Sequence, residues 1–108
     1  MARVRYSKLA AKDLLEYSEF IARDKPVAAY EWVEKIEEVC ATLAANPEMG
    51  QARKSRNHGP CRSFTSGTYV IFFRATQGGV EIIRIVRGGL DSAIIETGYD
   101  MPSRLVKF

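Results

Sequence analysis

The sequence predicts an α+β fold, in which an antiparallel pair of helices covers one face of a small, mostly antiparallel sheet. Two observations carry this prediction. Apolar residues recur at helical spacing in two consecutive segments, 8–23 and 26–45, and the densest β signal follows over residues 61–87. A short alternating segment precedes the helices, so the expected element order is β-α-α-β-β-β.

The N-terminal half is predicted to hold one strand and the first helix. At residues 2–6, Val4 and Tyr6 alternate with two arginines, which indicates a strand with one buried face. Ser7 follows as a candidate N-cap. The helix over residues 8–23 places its apolar side chains on one stripe, namely Ala10, Leu14, Tyr17 and Ile21. This periodicity assigns the helix to the core.

The second helix has clear limits in the sequence. Pro26 suits a first helical turn, and the Asn-Pro pair at 46–47 ends the helix because proline cannot continue the backbone hydrogen bonds. The connection between the helices is short, so they should form an antiparallel hairpin. Trp32 is predicted to anchor that hairpin in the core rather than to serve an interface.

Three strands are predicted in the second half, after a polar and basic stretch at residues 51–60 that is interpreted as a loop. The runs at 69–73 and 80–86 are rich in β-branched and aromatic residues, and a third run occupies 61–64. Two glycines at 78–79 can adopt the positive φ angles of a tight hairpin between the first two runs.

Composition indicates a single domain of ordinary type. The chain has 108 residues, of which 46% are hydrophobic and 27% charged, and no segment approaches the ~20 apolar residues of a membrane span. The N-terminus lacks the apolar region of a signal peptide, so a cytoplasmic location is expected. Residues 1–91 are interpreted as the domain and residues 92–108 as a C-terminal extension, either docked or mobile.

No cofactor or metal is expected. Cys40 and Cys61 are far apart and follow no metal-ligand spacing, so both are predicted to be free and mostly buried thiols. Together with the single histidine, His58, they cannot form a standard zinc site. A histidine in a loop is more often a surface residue than a general base.

Basic residues are concentrated in one part of the chain. Residues 50–90 contain seven Lys and Arg against one Glu, a net charge of +6, whereas the remainder has nine basic and twelve acidic residues, a net charge of −3. This segregation predicts a face that attracts an anion, either nucleic acid or an acidic protein segment; the alternative is a solvated surface with its own salt bridges. The predicted partner-binding residues, all in the strands, are Arg62, Arg74, Arg84 and Arg87. In an alternative arrangement, the stem of Arg84 packs in the sheet while its guanidinium pairs with a helix acid.

The chain resembles the ParE branch of the ParE/RelE toxin superfamily, which belongs to bacterial toxin–antitoxin modules. The most specific single match is the segment LAANPEMG at residues 43–50. Other matching segments stand in family order over about residues 4–91, at 11–14, 36–40, 62–64, 67–73 and 80–86. The resemblance implies a RelE/ParE-like fold.

The resemblance also implies a function and a set of partners. ParE-type toxins inhibit DNA gyrase and block replication by protein–protein binding, so the chain is expected not to be an enzyme. The implied antitoxin is a ParD-like ribbon-helix-helix protein, and operator DNA is bound only through the toxin–antitoxin complex. The alternative function is that of RelE-type relatives, which cut messenger RNA on the ribosome. A third possibility is a degenerate module that only supports antitoxin and operator binding.

The sequence departs from the family pattern after the last strand. Arg87 stands where members often carry a histidine, and Leu90 and Asp91 replace an Arg-Asp pair. Leu90 and Asp91 are therefore the candidates for the end of the molecule that contacts the target. A nuclease would need further groups from the extension, because arginine stays protonated and makes a poor general base; the candidates there are Tyr99, Arg104 and Lys107.

Overall fold

The computed structural model describes residues 2–55 and 59–88. Within these two ranges the chain forms two helices and five strands. Their order is β1 (Arg3–Tyr6), α1 (Lys8–Ala22), α2 (Pro26–Ala45), β2 (Gln51–Ser55), β3 (Gly59–Ser66), β4 (Tyr69–Thr76) and β5 (Gly79–Arg87). The predicted α+β fold, with a strand and two helices before the main sheet, is confirmed.

Both helices begin where the sequence predicts. The Oγ of Ser7 accepts a hydrogen bond from the backbone N–H of Ala10 at 3.0 Å, which caps the first turn of α1. The same hydroxyl donates to the carbonyl of Ile83 at 2.7 Å. Pro26 stands in the first turn of α2, and this helix ends at Ala45 as expected. The hydroxyl of Ser7 therefore fixes the start of α1 against β5.

The sheet has the strand order β1-β5-β4-β3-β2. β1 pairs with β5 in parallel, and the other neighbouring strands are antiparallel. The apolar stripes of both helices pack on one face of this sheet, with Trp32 against the cluster as predicted. The buried residues of this core are Ala10, Ile36, Val39, Cys40, Leu43, Ala44, Ile71, Phe73, Val80, Ile82 and Ile85.

The interpretation of residues 51–60 as a loop is wrong at both ends. Gln51–Ser55 forms the edge strand β2, which pairs antiparallel with β3 from Gln51 opposite Ser63 to Ser55 opposite Gly59. The segment QARKS has no apolar alternation, so its strand conformation comes from pairing with β3 rather than from burial. Residues 56–58, including His58, lie outside the described residues.

Two further expectations concern the cysteines and membrane association. Cys40 and Cys61 are both buried, and neither forms a disulfide, as predicted. Neither described helix is long and apolar enough to cross a membrane.

Gly79 is expected to be essential for the pairing of β1 with β5. A Cβ atom at this position would overlap the backbone carbonyl oxygen of Arg3 and lie 2.7 Å from its nitrogen. Gly79→Ala should therefore separate β1 from the sheet and lower the free energy of unfolding by ~3 kcal/mol or more, which denaturant titration measures.

The control is Gly67→Ala, since Gly67 has φ +61° and open space around its added Cβ. Backbone strain alone should cost about 1–2 kcal/mol there. Equal losses for the two variants would contradict the steric explanation for Gly79.

Candidate partner-binding surface

Three arginines line one groove at the β2 edge of the sheet. Arg53 of β2, Arg62 of β3 and Arg74 of β4 border a cavity of about 480 Å³. The other described residues that line it are Pro47, Ala52, Pro60, Cys61 and Ala75. Among the described lining residues none is acidic, so this part of the chain contributes positive charge and short apolar side chains to the groove. We call it the arginine groove.

Local contacts orient two of these guanidinium groups. The Nε of Arg53 donates to the Oγ of Ser63 at 2.9 Å, and a long contact of 3.4 Å joins Nη1 of Arg62 to the carbonyl oxygen of Gly50. Gly50 has φ +85°, so the turn before β2 uses a conformation that favours glycine. The β2–β3 hairpin thus holds both arginines beside the edge strand.

Arg74 forms an exposed ion pair across β4 and β5. Its Nε and Nη2 both donate to Oε1 of Glu81, at 2.9 and 2.6 Å. The Arg74 side chain is 50% exposed and that of Glu81 is 17% exposed. Exposed ion pairs of this kind contribute only about 0–1 kcal/mol to the free energy of unfolding. Arg74 can therefore exchange Glu81 for the carboxylate of a partner at small energetic cost.

Arg84 does not lie on a solvent-facing surface. Its side chain is 2% exposed, and its guanidinium forms an ion pair with Asp13 of α1, with Nε–Oδ2 at 2.7 Å and Nη2–Oδ1 at 2.9 Å. Asp13 also accepts the backbone N–H of Ile85 at 3.0 Å. The alternative arrangement, a strand arginine paired with a helix acid, is therefore the one adopted, and a direct partner contact by Arg84 is incompatible with this burial.

A register shift interrupts the pairing of β4 with β5 beside Arg84. Phe72 of β4 opposes Arg84 and Phe73 opposes Ile82, so Ile83 is an extra residue on β5. Such a bulge breaks the alternation of side chains between the two faces of a strand. Around it, the residues of β5 from Ile82 to Val86 are all buried.

Arg87 is the last residue of β5 and lies next to an aromatic cluster. Its backbone N–H donates to the hydroxyl of Tyr17 at 3.0 Å, and it opposes Tyr69 across the strands. The ring centroids of Tyr17 and Tyr69 are 5.0 Å apart, and the ring centroids of Trp32 and Tyr69 are 4.9 Å apart. The cluster fixes the backbone at Arg87, whose partner-binding role stays a prediction.

The other candidates lie outside the described residues. These are Leu90 and Asp91, predicted to contact the target, and the extension residues that a nuclease would need, Tyr99, Arg104 and Lys107.

Two titratable groups in the core, Tyr6 and Cys40, have shifted pKa values. Burial raises the pKa of the Cys40 thiol to about 11; a hydrogen bond from Tyr6 opposes this shift and the charge of Glu37 adds to it. Burial is also the main cause of a raised pKa for the Tyr6 hydroxyl. Both groups stay protonated at neutral pH and cannot act as bases. Within residues 2–55 and 59–88, no group of three His, Cys, Asp or Glu is placed to hold a metal ion.

Comparison with known proteins identifies the family. The family model described as the ParE toxin of the type II toxin–antitoxin system parDE matches residues 4–91. The chain belongs to the ParE toxin family. The resemblance inferred from the sequence is thus confirmed over most of this ParE-family chain.

A solved structure agrees with the assignment to the ParE family. A chain from the chromosomal ParDE TA system of P. aeruginosa superposes with a TM-score of 0.63 at 27% sequence identity. The match covers 81% of this chain and 96% of that chain. No curated protein matches.

Sequence reasoning missed one basic element of this ParE-family domain. Arg53 and Lys54 were counted in the positive charge of residues 50–90, but the loop interpretation kept them out of the sheet. In the structure they lie on the edge strand, and Arg53 lines the arginine groove. A polar segment next to an apolar strand was the available signal, and it does not distinguish an edge strand from a loop.

Proposed function

We propose that this ParE-family chain is a toxin that inhibits DNA gyrase by direct binding and is neutralised by a cognate ParD-like antitoxin. The observation that carries the proposal is the arginine groove beside the edge strand β2, in a chain of this family. Arginines in such a groove bind anionic groups without performing chemistry on them. Inhibition of gyrase would block replication and arrest growth.

The antitoxin would bind through its C-terminal segment. An edge strand offers backbone N–H and C=O groups to an added strand, which is a common mode of peptide recognition. β2 is such a strand, because its one partner among the described strands is β3. An acidic antitoxin segment paired along β2 would place its carboxylates within reach of the arginine groove. Operator DNA would then be bound by the antitoxin of the complex and not by this chain.

The proposed inhibition is a protein–protein event and assigns no catalytic residue. RNA cleavage requires a group that takes the proton of the attacking 2′-OH. The three charged residues of the arginine groove are arginines, which do not deprotonate at neutral pH. The groove therefore favours binding over cleavage.

A supercoiling assay tests the proposed target. Purified protein added in excess to DNA gyrase and relaxed plasmid should abolish supercoiling, and preincubation with the antitoxin should restore it. A translation extract receives the same protein in parallel as the comparison. Full supercoiling together with loss of translation and cleavage of messenger RNA would replace gyrase inhibition with RelE-like nuclease activity.

A further inference from the structure

The side of the sheet that faces away from the helices carries basic side chains. On β4, Ile71 and Phe73 pack in the core beneath the helices, so Phe72 and Arg74, which alternate with them, point to the opposite side. The Arg74 side chain is half exposed there. We call this side of the sheet the helix-free face.

Arg53 reaches the helix-free face from the edge strand β2. Its Nε donates to Oγ of Ser63 at 2.9 Å. Ser63 lies two positions after Cys61 on β3, and Cys61 clusters with Phe72 on the helix-free face. Arg53 also stands opposite Cys61 in the pairing of β2 with β3. This arginine is therefore on the same side of the sheet as Arg74.

Arg5 lies on the other edge strand, β1. Val4 and Tyr6 pack against the core beneath the helices, so Arg5 between them points to the helix-free face. It stands opposite Glu81 of β5, whose carboxylate pairs with Arg74 of β4. Every second strand across the sheet, namely β1, β4 and β2 with one strand between neighbours, thus contributes one arginine to a single row.

A second cavity connects Arg74 to the start of α1. It has a volume of about 260 Å³, and the described residues that line it include Lys8, Arg74 and Glu81. Arg74 also lines the arginine groove, so this side chain borders both cavities. Arg5 and Lys8 are exposed, and no ion pair within residues 2–55 and 59–88 holds either of them. We call Arg5, Lys8, Arg53 and Arg74 the basic row.

The chemistry of the basic row fits an extended acidic peptide. Four positive charges stand along it, and the described residues of both cavities include a single carboxylate, that of Glu81. Short apolar side chains such as Ile83 and Ala75 lie between the charges. None of these described lining residues is aromatic, whereas proteins that bind single-stranded nucleic acid stack the bases on aromatic rings. Cavities of this size also suit an extended chain better than a helix, which is ~10–12 Å wide.

We propose that the acidic antitoxin segment crosses the sheet along the basic row, from Arg53 at the β2 edge past Arg74 to Arg5 and Lys8 at the β1 edge. A carboxylate of the segment then replaces Glu81 at Arg74. This inference rests on the antitoxin partner of the proposed function and extends its binding site beyond the arginine groove. Because five strands span ~19 Å from edge to edge, about six extended residues of the antitoxin cover the row.

Calorimetric titration of the full-length toxin with the antitoxin tests the far end of the row. Arg5→Gln with Lys8→Gln should weaken binding at least ~10-fold, because each substitution removes a charged contact to a carboxylate. Both residues are exposed, so the unfolding transition measured by circular dichroism should stay that of the wild-type protein.

The matched control removes one arginine and one lysine elsewhere. Arg23→Gln with Lys25→Gln changes two exposed residues at the connection of the helices. Antitoxin affinity should stay within ~3-fold of wild type, since these side chains lie outside the row. An equal loss in the two double variants would show a response to net charge and would overturn the proposal.

Double-mutant cycles map the path of the segment. Each acidic residue of the antitoxin segment is neutralised in turn and combined with Arg53→Gln or with Arg5→Gln in the toxin. The acid that couples to Arg5 should lie about six residues from the acid that couples to Arg53, because an extended residue advances ~3.3 Å. A separation of about thirteen residues would mean a helical segment, and coupling of one acid to both arginines would place the segment off the row. Either result would contradict the proposal.

Two further results would overturn the assignment of the basic row. The first is wild-type antitoxin affinity in the variant Arg5→Gln with Lys8→Gln. The second is weaker binding of a short fluorescent DNA duplex by this variant while antitoxin affinity is retained, since this would assign the row to nucleic acid. The supercoiling assay is a separate measurement: a toxin that binds the antitoxin along the row but leaves gyrase active would contradict the proposed target and not the row.

Discussion

Arg84→Met should lower the free energy of unfolding by about 3–5 kcal/mol, which is the usual cost of breaking a buried ion pair from one side. The substitution removes the two guanidinium contacts from Arg84 to Asp13, and the carboxylate, at 0% exposure, loses the positive charge of that arginine. The methionine side chain keeps the apolar stem, so the loss reports the charge pair and not a cavity. Chemical denaturation monitored by circular dichroism measures the change.

The chain contains a matched control for this experiment. Arg74 is also a strand arginine paired with a carboxylate, but its side chain is half exposed. Arg74→Met should therefore change stability by at most ~1 kcal/mol. If both variants lose the same stability, burial does not determine the strength of these pairs and the structural role assigned to Arg84 is wrong.

Loss of two charges from the arginine groove is expected to weaken antitoxin binding about 100-fold or more. The variant is Arg62→Ala with Arg74→Ala, and each lost contact to a carboxylate should remove at least ~1.5 kcal/mol of binding free energy. Calorimetric titration of toxin variants with the antitoxin measures the dissociation constant. Repeating the wild-type titration at higher salt should weaken binding as well, since screening acts on the same charges.

The control variant removes equal charge at a distant site. Arg23→Ala with Lys25→Ala changes two exposed residues at the connection of α1 and α2, far from β2 in the sequence and on another element. Its affinity should stay within ~3-fold of wild type if local contacts dominate. An equal loss for both variants would mean that the antitoxin responds to net charge, and the arginine groove would no longer be its binding site.

The parts of the fold that the sequence predicted are those with strong periodic or terminal signals. α2 begins at Pro26 and ends before an Asn-Pro pair, so the local sequence determines both ends of this helix. Ser7 caps α1 as expected from its hydroxyl. β4 and β5 have enough β-branched and aromatic residues to be identified without knowledge of their neighbours.

The rest depends on pairing between distant segments. β2 is a strand only because β3 supplies its hydrogen bonds. The sequence QARKS itself does not indicate a strand. The buried Arg84 pairs with an acid 71 positions earlier in the chain, Asp13 of α1. Charge counting correctly located a basic region, but it could not separate the buried Arg84 from an exposed arginine such as Arg74.

The parallel pairing of β1 with β5 has a consequence for folding during synthesis of the protein. Arg3 lies opposite Gly79, so β1 can join the sheet only after β5 has been synthesised. Closing such a long loop is slow compared with forming the helical hairpin. On the ribosome, α1 and α2 can form early, whereas the buried pair and the finished sheet appear only after β5 has emerged. Nascent chains therefore lack the complete toxin fold until synthesis of the domain is almost finished.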